Sequence, residues 1–75
     1  MKTIYNIAFF WDEEANVWIA SSEDVAGLIL EDESLDNLMN RVFIAVPELL
    51  ESENIKHNKE LSINCVASRR ELVYA

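Results

Sequence analysis

Basic residues are scarce in this 75-residue chain, six lysines and arginines against fourteen aspartates and glutamates, and cysteine, histidine, glycine and proline are nearly absent, one of cysteine, glycine, proline and histidine each. Each scarcity excludes something. A single cysteine, Cys65, forms no internal disulfide, and with the single histidine, His57, it makes a poor metal-binding set. No metal site and no cofactor is expected. A net charge of −8 repels phosphate backbones and anionic membranes, so direct nucleic-acid binding is not expected either. There is no run of about 18 apolar residues and no basic-then-apolar leader, which makes the cytoplasm the expected compartment.

Residues 1–75 are expected to form one domain, near the lower size limit at which a single core suffices. Chains this small recruit disulfides, a metal or a partner chain. With the first two poorly supplied, a homo-oligomer is the expectation. An acidic chain also suits a basic partner, although high charge by itself serves solubility.

What is present is one long amphipathic segment, residues 35–53 (LDNLMNRVFIAVPELLESE). At about 100° per residue, Leu35, Leu38, Met39, Val42, Phe43, Val46, Leu49 and Leu50 fall within an arc of about 140°, which predicts a helix with a broad buried face. Ser34 is placed to cap it, and Glu31, Asp32, Glu33 and Asp36 sit where the positive end of the helix dipole favours carboxylates. Pro47 lies inside the pattern, where it removes one backbone hydrogen bond and crowds the carbonyl of Phe43. A helix bent at Pro47 is expected in preference to two separate helices.

The flanks alternate. Residues 3–11 (TIYNIAFFW) and 17–22 (VWIASS) read as two strands joined by a polar turn, a β-hairpin. If Trp11 stands opposite Val17, then Phe9 faces Ile19 and Ile7 faces Ser21 on the side that meets the helix, while Phe10, Trp18 and Ala20 point away. A one-residue slip in register would exchange the two sets. Gly27, the only glycine, marks a turn with φ > 0. Residues 28–31 form a short third strand, and residues 60–68 a fourth with Leu61, Ile63, Cys65 and Ala67 on one face. Leu72, Val73 and Tyr74 either add a last short strand or pack as a tail. The fold class is α+β, in the order β-β-β-α-β.

Candidate chemistry is thin. The acids cluster in turns (Asp12, Glu13 and Glu14; Glu23 and Asp24; Glu31, Asp32 and Glu33), where solvated carboxylates are the ordinary reading. His57 has no nucleophile or acid at triad spacing, and Cys65 in an alternating strand reads as a small core hydrophobe. The chain is therefore not expected to be an enzyme. Phe10 and Trp18 are more informative, because one helix covers only one face of a four-stranded sheet. Either the tail of residues 72–74 wraps over these aromatics or they anchor a protein interface. Ile44 is the one large aliphatic residue expected on the outer helix face.

Residues 10–13 (FWDE), 17–20 (VWIA), 23–27 (EDVAG), 34–38 (SLDNL) and 46–51 (VPELLE) recur in this order in a known group, and the chain resembles the HicB-like antitoxin fold, in particular its small single-domain members. Ala26 stands where that family has proline, and residues 31–33 replace a common Gly-Asp. The resemblance implies a truncated ribonuclease-H-like sheet of order 3-2-1-4, in which a three-strand meander is followed by a helix and a fourth strand parallel to the first. Strand one lacks the central carboxylate that a ribonuclease-H-type nuclease uses to hold metal. The implied function is a non-enzymatic antitoxin that covers a small basic RNA-cleaving toxin, with Phe10 and Trp18 as anchors and Glu31, Asp32 and Glu33 as charged partner-binding residues. The alternative is a self-associating accessory domain with no toxin.

Overall fold

Aromatic and β-branched residues at alternating positions give the first strand two usable faces, and the rest of the chain covers one of them. The computed structural model describes residues 4–52 and 61–74. Its elements are β1 (Ile4–Asp12), β2 (Val17–Ser21), β3 (Ile29–Asp32), α1 (Leu35–Ser52) and β4 (Ser62–Ser68). They form one mixed sheet in the order β3-β2-β1-β4, with β1 antiparallel to β2 and parallel to β4. Both the α+β class and the strand order agree with the sequence reading. His57, the start of the expected first strand at residue 3, the end of the expected helix at residue 53 and the start of the expected fourth strand at residue 60 lie outside the described residues.

The hairpin register differs from the one first assumed. Asp12, not Trp11, stands opposite Val17, so Trp11 pairs with Trp18, Phe10 with Ile19 and Phe9 with Ala20. The cause is the turn. Asp12 ends the ladder and also closes the loop, its carbonyl accepting from the Asn16 N–H at 2.8 Å and its Oδ1 accepting from the N–H groups of Glu14 and Ala15. Asn16 takes φ 56°, a left-handed conformation that asparagine tolerates. Four residues, not five, therefore connect the strands, and every side chain of β2 changes face. Trp18 and Ala20 lie on the helix side.

Burial on that side is nearly complete. Tyr5, Ile7 and Phe9 from β1 meet Ala20 and a row of helix residues at four-residue spacing, Leu38, Val42, Val46 and Leu50. Residues this far apart stack on one face of a helix, and each large side chain so buried contributes roughly 1.5–3 kcal/mol. Phe43, expected in the buried arc, lies at its margin and is 47% exposed. Ile44 is exposed, as its position on the wheel predicts. The helix runs through Pro47 without a break, and Ser34 caps it, its Oγ accepting from the Asn37 N–H at 3.2 Å.

The connection between β2 and β3 adds Val25 and Leu28 to the core. It is pinned to β1 by side chains where the ladder stops. Ser22 Oγ donates to the Asn6 carbonyl at 2.7 Å and accepts from the N–H groups of Asp24 and Val25, while Asp24 Oδ2 accepts from the Asn6 N–H at 2.7 Å. Both main-chain groups of Asn6 are thus paired although no strand lies beside them. Gly27 has φ 81°, the left-handed turn read from its isolation in the sequence.

Candidate functional site

The helix covers one face of the sheet, and no other element among the described residues packs on the opposite face. Because alternate residues share a face, the registers place Ile4, Ala8 and Phe10 of β1, Val17 and Ile19 of β2, Ile29 of β3 and Val66 of β4 together on that side. Phe10 is 41% exposed and Ile29 76%. An apolar surface drawn from all four strands is uncommon on a lone soluble domain and is the kind of patch that partners cover. The tail does not cover it. Leu72, Val73 and Tyr74 form no strand and are 73%, 79% and 87% exposed, which corrects both expectations for that segment.

Toward the Asn6 end the face opens into a groove of about 450 Å³ between β1, the residues after β2 and Val66 of β4. Three of its polar side chains, Asn6, Ser22 and Asp24, are engaged within the chain. They hold the loop as described, and Asn64 Nδ2 donates to Asn6 Oδ1 at 3.0 Å.

The expected site residues do not all meet. Phe10 lies on the uncovered face, but Trp18 is half-buried on the helix side, so the two aromatics are not one anchor pair. Trp18 stands edge-on to Trp11, ring centres 5.6 Å apart at 62°. The Arg69 guanidinium lies 4.1 Å above the Trp11 ring and is held by Glu71, a stacked latch that fastens the chain after β4 to the end of the hairpin. A register with Trp11 opposite Val17 puts the two tryptophans on different faces; the observed register pairs them.

The three acids after β3 also divide. Glu31 pairs with Ile19 and so belongs to the uncovered face, at the sheet edge, and Glu33 is exposed. Asp32 turns the other way and is structural. It accepts from the Ser34 N–H at 2.9 Å, from Asn37 Nδ2 at 2.5 Å and from Arg41 Nη1 at 3.3 Å, while Arg41 also donates to the Glu31 carbonyl. The Ser34 N–H, then Asn37, and with them Arg41, outweigh partial desolvation and hold the Asp32 carboxyl below its ordinary pKa. Asp12 and Asp32 therefore close turns and Asp24 ties its loop to β1, whereas the sequence reading takes all three as solvated. The signal was available for Asp12 and Asp32, since each begins a turn where an aspartate accepts from N–H groups two or three residues on.

Cys65 is half-buried on the helix side of β4, and that burial pushes its thiol up, away from the reactive thiolate. Among the described residues no three histidine, cysteine or acidic side chains gather as metal ligands, and no helix is long and apolar enough to cross a membrane.

The family model for a domain of unknown function (DUF1902) matches residues 4–75. Among solved structures, the hypothetical protein TTHA1013 from the extremely thermophilic bacterium Thermus thermophilus is 35% identical, with a TM-score of 0.79 over 95% of this chain and 99% of that one. No curated protein matches the chain.

Proposed function

We propose, for a chain that belongs to the DUF1902 family of domains of unknown function, a non-enzymatic protein-binding role of the HicB-like antitoxin type, carried by the uncovered sheet face. The observation that carries this reading is the exposed apolar surface of Phe10, Ile29 and Val66 opposite the helix. Strand order 3-2-1-4 with β1 parallel to β4 fits the truncated ribonuclease-H-like sheet of that group. The net charge of −8 selects a basic partner, for which a small basic RNA-cleaving toxin in the cytoplasm is the candidate. Phe10 is the anchor in this arrangement, and Glu31 and Glu33 at the rim steer the approach. Trp18 and Asp32 support it from behind, by packing and by holding the turn into α1.

Pull-down from the native host, followed by co-expression with any small basic protein recovered, tests the reading. The wild-type chain is expected to restore growth and to co-purify with that protein, and Phe10→Asp, while still folded, to do neither. Failure of the wild-type chain on both counts would leave the self-associating accessory domain as the better account. The exposed apolar tail of residues 72–74 and the uncharged strand β4 favour that second reading.

A further inference from the structure

The two edges of the sheet are built differently. β3 is four residues long and ends in Glu31 and Asp32, and its backbone at Glu31 is engaged by Arg41. Short length and charge are the usual guards against edge-to-edge pairing. β4 has neither. Its seven residues, SINCVAS, include no charge and no proline, and among the described residues no strand lies beyond it.

Charge points to the same edge. Two copies of a chain with net charge −8 repel wherever carboxylates face one another, at the hairpin turn, at β3 and on the outer side of α1, where Asp36, Glu48 and Glu51 stand exposed. β4 is where two copies meet without opposing carboxylates. Directly beyond it, Arg69 and Arg70 are followed by the exposed Leu72, Val73 and Tyr74. Edge pairing alone buries less than the roughly 1,200 Å² of a stable interface. These three side chains, and Val66 at 58% exposure, supply further apolar area beside the same edge.

We propose that β4 pairs antiparallel with β4 of a second copy across a two-fold axis perpendicular to the sheet, making one continuous sheet of eight strands. This goes beyond the protein-binding role of the uncovered face and uses the β4 edge, which shares only Val66 with the apolar surface of that face. Such an axis keeps both helices on one side, so helix-side residues must oppose helix-side residues. The register that pairs the whole strand sets Ile63 against Ala67, Asn64 against Val66 and Cys65 against its own copy. Each tail then runs past the start of the other copy's β4 and covers part of it. The uncovered faces of the two copies join into one, with Phe10 clear of the axis.

Cys65 makes the register measurable. Directly opposed residues in an antiparallel pair have Cα atoms about 4.5–5.5 Å apart, inside the roughly 4.4–6.8 Å that a disulfide spans. The test is light scattering behind a sizing column on the full chain, with and without diamide, which takes one hydrogen from each of two thiols as the S–S bond forms and is reduced to the hydrazine. The expected result is twice the chain mass, and a covalent dimer at mildly alkaline pH that Cys65→Ser abolishes. Val66→Lys, at an exposed edge position, is expected to give a monomer with unchanged circular dichroism and at least tenfold less cross-linking. Should Val66→Lys unfold, Ser68→Lys at the exposed end of the strand takes its place. Phe10→Asp is expected to leave the dimer intact, which separates this interface from the partner-binding face. A monomer at hundred-micromolar concentration, or a dimer that neither cross-links at Cys65 nor responds to either lysine, overturns the proposal.

Discussion

Phe9 and Phe10 are identical in chemistry and adjacent in sequence, yet the pleat sends one into the core and the other to the uncovered face. Phe9→Ala is expected to cost about 3–5 kcal/mol in urea unfolding, the range for a truncated buried phenylalanine. Phe10→Ala should cost no more than about 1 kcal/mol, because much of its area is already in water. Equal losses at the two positions would mean that the uncovered face is covered in the isolated chain. Asp32 makes a second prediction. Its carboxyl titrates lower in the folded chain than its ordinary 3.8, because Ser34, Asn37 and Arg41 favour the ionised form. A depressed folded pKa contributes stability that is present above the unfolded value and lost as pH falls through the folded one. Asp32→Asn should therefore flatten the acid limb of the stability curve below about pH 4, and leave its slope near neutrality unchanged.

The helix was the most legible element, because its apolar positions repeat with the helical period and Ser34 stands where a capping oxygen is needed. Only its margin was misjudged, at Phe43, where a wheel cannot show how far the sheet extends beneath it. Pro47 sits within the helix, so Pro47→Ala restores an N–H that the Phe43 carbonyl can accept. Stability should rise, by at most about 2.6 kcal/mol, the roughly 3 kcal/mol cost of an interior proline less the roughly 0.4–1 kcal/mol by which proline restricts the unfolded chain. A fall in thermal midpoint would mean that a bend at Pro47 is required for the fit over the sheet. The hairpin was less legible. Alternation identified both strands, but their register turned on one residue, since Asp12 is polar enough to read as turn and yet completes the ladder. Sequence alternation is blind to that choice when both faces of a strand are apolar. The consequence fell on the candidate site: Phe10 stayed on the uncovered face and Trp18 left it. The loop after β2 was read as a turn around Gly27; its buried Val25 was missed because no periodic pattern extends over so few residues, and Leu28, read as the first residue of the third strand, belongs to the loop and is buried.

One helix over four strands leaves this molecule half-clothed, with an apolar face, an uncharged edge and an apolar tail all presented to solvent. A net charge of −8 disfavours the approach of other acidic surfaces. Charge and apolar contact should contribute separately to binding. Neutralising Glu31 and Glu33 is expected to slow association and flatten its salt dependence, leaving dissociation nearly unchanged. Anchor truncation acts mainly on dissociation. The most direct test of the uncovered face as the binding surface is therefore the dissociation rate of a small basic protein that co-purifies with this chain from its host, followed on wild type, Phe10→Asp and the helix-side control Phe43→Asp. Release at least about a hundredfold faster from Phe10→Asp, with Phe43→Asp matching wild type, is the predicted result, a loss of roughly 2.7 kcal/mol. Recovery of no such protein, equal release from Phe10→Asp and wild type, or a loss confined to Phe43→Asp, would contradict the account.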